Sequence, residues 1–311
     1  MYPNLAITQG LYPEHLGSEF IDIYDGEIVS VRMKEKKKPK KERDFVVVEG
    51  FKLGANGFYG KSNSDDSFAY DPLYAMKTTV SGQILISMWV ERLVEASPSC
   101  KIIQINTDGV TIKVLRSDYD KCIKVTEQLM SETKMSYESN EYSAMVIEDV
   151  NNYAAKYVSG GYKYKGLFEI DKELHKDPSM RIVPIALSNY FFEGIPIMDT
   201  LKNHTNIYDF CLRLKVNKGW KALYKFIKES SLYTKILSKN TRYYISNSGG
   251  ALYKKNINDD RITGVNVGYV TTIFNDYEEK PMNEYNINYK FYLSECRKII
   301  DSIENKQLTL F

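Results

Sequence analysis

Ile102-Ile103-Gln104-Ile105-Asn106-Thr107-Asp108-Gly109-Val110-Thr111-Ile112-Lys113-Val114 sets two β-branched runs on either side of an Asx/Gly connection. That pattern predicts a tight antiparallel hairpin. The turn holds Asp108 outward while the flanking strands fix its backbone. A carboxylate presented in this way suits a hard divalent cation such as magnesium, which takes carboxylate and phosphate oxygens and keeps several waters. The same four turn residues are also ordinary turn chemistry, so on their own they define a place in the fold rather than a reaction.

Upstream of the hairpin, Val80, Ile84, Met88, Leu93 and Val94 recur near helical spacing and predict a helix over 79–96, stopped by Pro98. Val46, Val47, Phe51 and Ala55 predict an earlier helix over 42–58 with these four on one side, closed by Gly57 and Gly60 and followed by a polar turn over 62–67. Pro39 breaks the segment before it, so a helical hairpin is expected, preceded by extended and turn structure over 1–30. Downstream, 118–135 reads as a helix, and 143–171 reads as strands turning at Gly160-Gly161. Past Pro184 the expectation is helices over 185–237, a strand-like patch over 242–253 and extended segments to Phe274. A last helix is marked by Tyr289, Tyr292, Cys296, Ile299, Ile300 and Ile303. The chain is therefore α+β, has no internal repeat, and is expected to divide near residue 180.

The 311 residues are 43% hydrophobic, 26% charged and 13% aromatic, which excludes a disordered, collagen-like or coiled-coil chain and allows two or three domains. No apolar stretch approaches the roughly 20 residues that a membrane span needs. Met1-Tyr2-Pro3-Asn4 lacks the basic region and apolar core of a secretory signal, so a cytoplasmic protein with no membrane partner is expected. Cys100, Cys122, Cys211 and Cys296 are scattered without a close pair and read as reduced core residues. His15, His175 and His204 are equally isolated. The formal net charge of +2 hides an uneven distribution: between Val31 and Asp44, eight basic side chains face three acidic ones. Such a run attracts polyanions, although a solvated lysine-rich loop has the same composition.

Lys52, Asn56 and Tyr59 recur at spacings that share one helix face. Lysine can neutralise a triphosphate as a point charge, and a tyrosine among glycines offers a flat surface to a base pair. A glycine-capped helix end accounts for the same residues without a ligand.

Taken in order, these pieces resemble the polymerase half of a family B DNA polymerase, particularly those of tailed bacteriophages. Lys52 to Gly60 is similar to the second polymerase motif, Lys-x-x-x-Asn-Ser/Gly-x-Tyr-Gly. Asn106-Thr107-Asp108-Gly109 is similar to the third, usually Asp-Thr-Asp-Ser/Gly. Lys163-Tyr164-Lys165-Gly166-Leu167-Phe168-Glu169 resembles the lysine-bearing strand along the primer, and Thr79-Val80-Ser81-Gly82-Gln83 the start of the palm helix. Met1-Tyr2-Pro3-Asn4 resembles the end of the first motif, Asp-x-x-Ser-Leu/Met-Tyr-Pro. The resemblance implies a right-hand polymerase: a palm of antiparallel sheet with helices over 1–20 and 61–180, helical-hairpin fingers over 21–60, and a mixed thumb over 181–311. It implies two magnesium ions joining a primer 3′-hydroxyl to a deoxynucleoside triphosphate on primer-template DNA.

On that resemblance Asp108 binds metal, and Lys52 holds the triphosphate with Arg32 and Lys36, which fit the fingers pattern Arg-x-x-x-Lys. Asn56 and Tyr59 line the nascent pair and Tyr2 is the steric gate against a ribose 2′-hydroxyl. Gly60, Thr107, Lys163 and Lys165 meet DNA. In the thumb, Arg242 and Tyr243 lie in an arginine-aromatic-hydroxyl stretch suited to a sugar-phosphate backbone. The first-motif aspartate would precede Met1, so that acid and the exonuclease domain are expected on an upstream polypeptide, with the chain inactive alone, or else Met1 is an internal methionine of a longer reading frame. Asn106 stands where aspartate is usual and keeps the oxygen without the charge. Gln307-Leu308-Thr309-Leu310-Phe311 resembles the pentapeptide by which bacterial replication proteins bind the sliding clamp, and a frayed helix end is the plain alternative. The rival reading is a non-catalytic DNA- and clamp-binding fragment. A reverse transcriptase fits less well, because Gly109 and not a second acid follows Asp108.

Overall fold

Pro3 in the first turn starts a helix, α1 (Tyr2–Thr8), in the computed structural model, which describes residues 1–172, 179–276 and 278–308. The segment 1–30 is thus helical where extended and turn structure was expected. α2 (Glu19–Ile23) follows, then a wide turn over Tyr24–Val29 and α3 (Ser30–Lys37). Tertiary packing decides this stretch: Leu5, Ala6 and Tyr24 are buried, and the Tyr24 hydroxyl donates to the Ala55 carbonyl at 2.7 Å. Short helices carry too little periodicity to announce themselves.

α3 and α4 (Phe45–Lys61) make the expected helical hairpin. Asp44 caps α4, its Oδ1 accepting from the amides of Val46 (2.9 Å) and Val47 (3.2 Å). Arg32 Nε donates to the Val48 carbonyl at 3.2 Å, tying the two helices. The apolar face expected on α4 is not the buried one, since Val46 is 79% exposed and Ala55 is the fully buried member. α5 (Pro72–Ala96) begins before residue 79 because Asp71 caps it and Pro72 opens it. Its buried side runs through Tyr74, Thr78, Gly82, Leu85 and Leu93, whereas Val80 and Ile84 face outward.

β1 (Lys101–Asn106) and β2 (Gly109–Lys113) form the expected antiparallel hairpin, Asn106 opposite Gly109, and α6 (Tyr119–Thr133) follows. Ile102, Val110 and Ile112 pack with Trp89 on a small core of Leu93, Cys100 and Cys122. Cys100 and Cys122 share that core, which their spacing in sequence gave no reason to expect.

Compact units span Met1–Ser139 and Asn140–Phe311, so the division falls well before residue 180. The strands β3 (Tyr142–Asp149), β4 (Asn152–Tyr157) and β5 (Tyr162–Lys165) pair in that order, and Ala154 and Phe168 belong to the second unit's core. α7 (Ile182–Glu193) and α8 (Ile197–Asn203) come next. The helices expected up to 237 end there. The chain instead builds β6 (Leu212–Lys215), β7 (Trp220–Lys228) and β8 (Ser231–Leu237), and the strand-like patch and extended segments expected beyond them are β9 (Asn240–Ser246), β10 (Gly250–Asn256), β11 (Ile262–Val265) and β12 (Val270–Ile273). Their order is β6-β9-β12-β10-β7-β8, with β11 beside β10. Aromatic and β-branched side chains in β7 and β8 favour strand. The turn between them, Glu229-Ser230, contains no glycine to signal it. α9 (Tyr289–Leu308) completes the core through Tyr292, whose hydroxyl donates to the Phe210 carbonyl at 2.7 Å.

Candidate active site

The β1–β2 turn leaves Asp108 exposed and its neighbour Thr107 likewise. Around it the first unit gathers residues far apart in sequence. Burial pushes the Met1 amine down, while the Asp108 carboxylate pulls it up and the Arg32 guanidinium pushes it down. Burial raises the Tyr2 phenol, and Tyr59 and the Asp108 carboxylate raise it further. Asp108 and Arg32 are therefore both within electrostatic reach of the start of α1. The Tyr2 and Tyr59 rings lie with centroids 4.4 Å apart, and the Tyr59 oxygen is 2.6 Å from Thr79 Oγ1.

Gly82 makes room for this meeting of helices. A methyl group there would fall 2.7 Å from Met1 Cε and 3.1 Å from Tyr2 Cε1. The absent side chain admits α1 against α5 and sets the Tyr2 ring beside Tyr59.

The cations nearby are engaged loosely. Lys52 Nζ pairs with Glu49 at 2.8 Å, and Lys36 Nζ pairs with Glu138 at 2.6 Å. Both lysines are partly solvated, and such pairs are worth about 0–1 kcal/mol. Lys38 and Lys52, respectively, hold the Glu35 and Glu49 carboxyls below the usual carboxylate range. Asn56 is exposed on the same helix, and the glycines at 50, 54, 57 and 60 have open space where a side chain would stand. An anion with several oxygens could displace the glutamates and bridge Arg32 and the lysines.

Asp108 offers one carboxylate, which suits one ligand of a magnesium ion that keeps its waters. No group of three or more His, Cys, Asp or Glu is gathered for a metal among the described residues. The Asn106 amide oxygen accepts from Gln104 Nε2 at 3.0 Å. A two-ion centre needs a further acid. Thr79, which fixes Tyr59, and Gln104, the buried residue of β1, were not foreseen as part of this site. Thr79 stood inside a quoted motif, whereas nothing in the sequence marked Gln104.

The second unit carries the remaining candidates. Lys163 Nζ lies 3.3 Å from the Tyr142 hydroxyl and over the rings of Tyr142 and Tyr153 at 5.9 and 5.6 Å, so it is held by its own sheet. Burial works against its charge, and the two phenols more than offset that. Lys165 is exposed. Arg242 is exposed over the Tyr208 ring at 5.2 Å. Tyr243 is corrected: only 3% exposed, with its hydroxyl accepting from Asn266 Nδ2 at 3.1 Å, it is a core residue and has no face to stack on a base. α9 runs through Leu308, so the backbone of Gln307 and Leu308 is helical. Leu310, Phe311 and His175 lie outside the described residues.

No protein-family profile and no curated protein sequence matches the chain. Among solved structures it is similar to the family B DNA polymerase of the hyperthermophilic archaeon Pyrobaculum calidifontis. The similarity covers 97% of this chain at a TM-score of 0.47 and 14% identity. It spans 43% of that polymerase, less than half its length. At that identity, residue roles do not pass from one chain to the other. No helix among the described residues is long and apolar enough to cross a membrane.

Proposed function

We propose that the chain supplies fingers, palm and thumb to a template-directed DNA polymerase of bacteriophage type, acting in replication in the host cytoplasm. One observation carries this reading. Tyr2 and Tyr59 meet ring to ring, the Asp108 carboxylate and the Arg32 guanidinium act electrostatically on the start of α1, and each of the four belongs to a stretch that resembles a polymerase motif.

Asp108 would hold magnesium from the hairpin tip. Two such ions, when bound, neutralise the triphosphate and lower the barrier to attack by the primer 3′-hydroxyl. Arg32, Lys36 and Lys52 exchange their glutamate and carbonyl contacts for phosphate oxygens. Asn56, Gly60 and Tyr59 flank the nascent pair, Tyr2 excludes the ribose hydroxyl, and Lys163, Lys165, Thr107 and Arg242 meet DNA. Catalysis of this kind is positioning and charge neutralisation. A two-ion centre calls for a second acid, which a polypeptide carrying the first motif would supply, and the 307–311 stretch tethers the assembly to a sliding clamp.

Primer extension by the chain mixed with a polypeptide bearing that motif tests the reading. Asp108→Asn is expected to lose about 10²–10³-fold in rate, and an undiminished rate would sink the metal assignment. The single carboxylate of the site favours one other reading, a DNA- and clamp-binding fragment without catalysis. In that case primer-template binds with the same affinity while every reconstituted mixture stays inactive.

A further inference from the structure

β8 is the outer strand of the large sheet and pairs with β7 alone. Lys228 and Ser231 flank a two-residue connection in which Glu229 (φ 50) and Ser230 (φ 61) are both left-handed. That is the type I′ turn of tight hairpins, and it fixes which backbone groups face where. The pair flanking such a turn is hydrogen-bonded, and bonded pairs alternate along an antiparallel ladder. Ser231, Tyr233, Lys235 and Leu237 therefore spend their N–H and C=O groups on β7. Leu232, Thr234 and Ile236 direct theirs to the open edge.

Open edges are usually blunted by proline, a bulge or clustered charge. Here the β7–β8 register is unbroken, the strand holds no proline, and Lys235 is its one charge. Leu232 and Ile236 are 69% and 62% exposed, beside Ile227 on the same face of the sheet. Sequence and edge geometry agree on what would pair with them. The geometry points to a second copy of this chain, its β8 running antiparallel to the first about a two-fold axis through Thr234.

In that register Thr234 faces the partner's Thr234 and Leu232 faces the partner's Ile236. These are the residues whose amides point outward, so each such pair exchanges two hydrogen bonds. Tyr233 faces the partner's Lys235, repeating within the interface the contact that Lys225 makes over Tyr253 at 5.0 Å in this sheet. Just past the strand ends, Glu229 comes opposite the partner's Lys239. Apolar meets apolar, cation meets ring, and acid meets base. Sliding the register two residues toward the turn shortens the overlap and sets Ile236 against the partner's Lys228. The pairing is isologous and uses the same edge on both copies, so it closes as a dimer. Two short strands make a small interface, and the dimer is reversible.

Sedimentation velocity of the full chain across a concentration series, with reductant, tests this independently of any polymerase activity. The wild-type chain is expected to pass from monomer to dimer mass and no further. Thr234→Pro removes only an outward N–H and a proline is tolerated on an edge strand, so it is expected to stay monomeric with an unchanged circular dichroism spectrum. Ile236→Lys is expected to weaken dimerisation at least tenfold, and Leu232→Glu added to the same chain to restore it through two symmetric charge pairs. The charge-pair series decides the matter if the proline variant does not fold. A wild-type chain of monomer mass at every concentration, open-ended oligomers, or a dimer indifferent to these substitutions would overturn the proposal.

Discussion

Gly82 shows how two effects of one methyl group compete. Alanine is favoured over glycine inside a helix by about 1 kcal/mol. Against this, its Cβ would press on Met1 Cε and the Tyr2 ring. The end of a methionine gives way readily, so Gly82→Ala is expected to match the parent in urea denaturation to within about 0.5 kcal/mol. Gly82→Leu must expel the Tyr2 ring, and a loss of about 1–3 kcal/mol with a weaker near-ultraviolet signal is expected. Asp118 gives a pH dependence. Lys121 at 2.9 Å and the hydroxyls of Ser97 and Ser99, each at 2.8 Å, bring its carboxyl down to about 2. The folded value lies below the ordinary one, so these contacts contribute fully above about pH 4 and are lost as the pH falls toward 2. A carboxyl NMR titration should read a midpoint near 2 for Asp118, moving upward in Ser97→Ala/Ser99→Ala.

Along α4 the cap and the glycines pull in opposite directions. Asp44→Ala strips two amides of their acceptor and is expected to cost about 1 kcal/mol in thermal melts. Gly50→Ala and Gly54→Ala meet open space and should each stabilise by about 0.5–1 kcal/mol. The β1–β2 hairpin and the α3–α4 pair were legible because turn chemistry and 3.6-residue periodicity are local signals. The face of α4 was not, since apolar residues occur all round it and neighbouring elements choose which are covered; Val46 lost and Ala55 won. β6, β7 and β8 were hidden because short apolar runs read alike as helix or strand. At the site, Asp108 and Lys52 stood out through motif and spacing, whereas the role of Gln104 depends on a tertiary contact. Tyr243 was open to a better reading, as strand alternation that turns Arg242 outward turns its neighbour in.

At the scale of the molecule, the apolar clusters of residues up to 139 share no member with the large cluster of the second unit. Residues 140–311 expressed alone are therefore expected to unfold in one cooperative transition with near-ultraviolet dichroism intact, and a fragment lacking that signal would contradict a self-sufficient core. The buried thiols bear on handling the whole chain. Burial pushes Cys100 up to about 11, and Cys211 and Cys296 to about 12, so the native protein holds little thiolate for an oxidant to attack. Denaturation removes that shelter from every sulfur at once. Ageing in air should accordingly proceed through the small unfolded population, trapping wrong crosslinks that only reductant added before refolding can prevent.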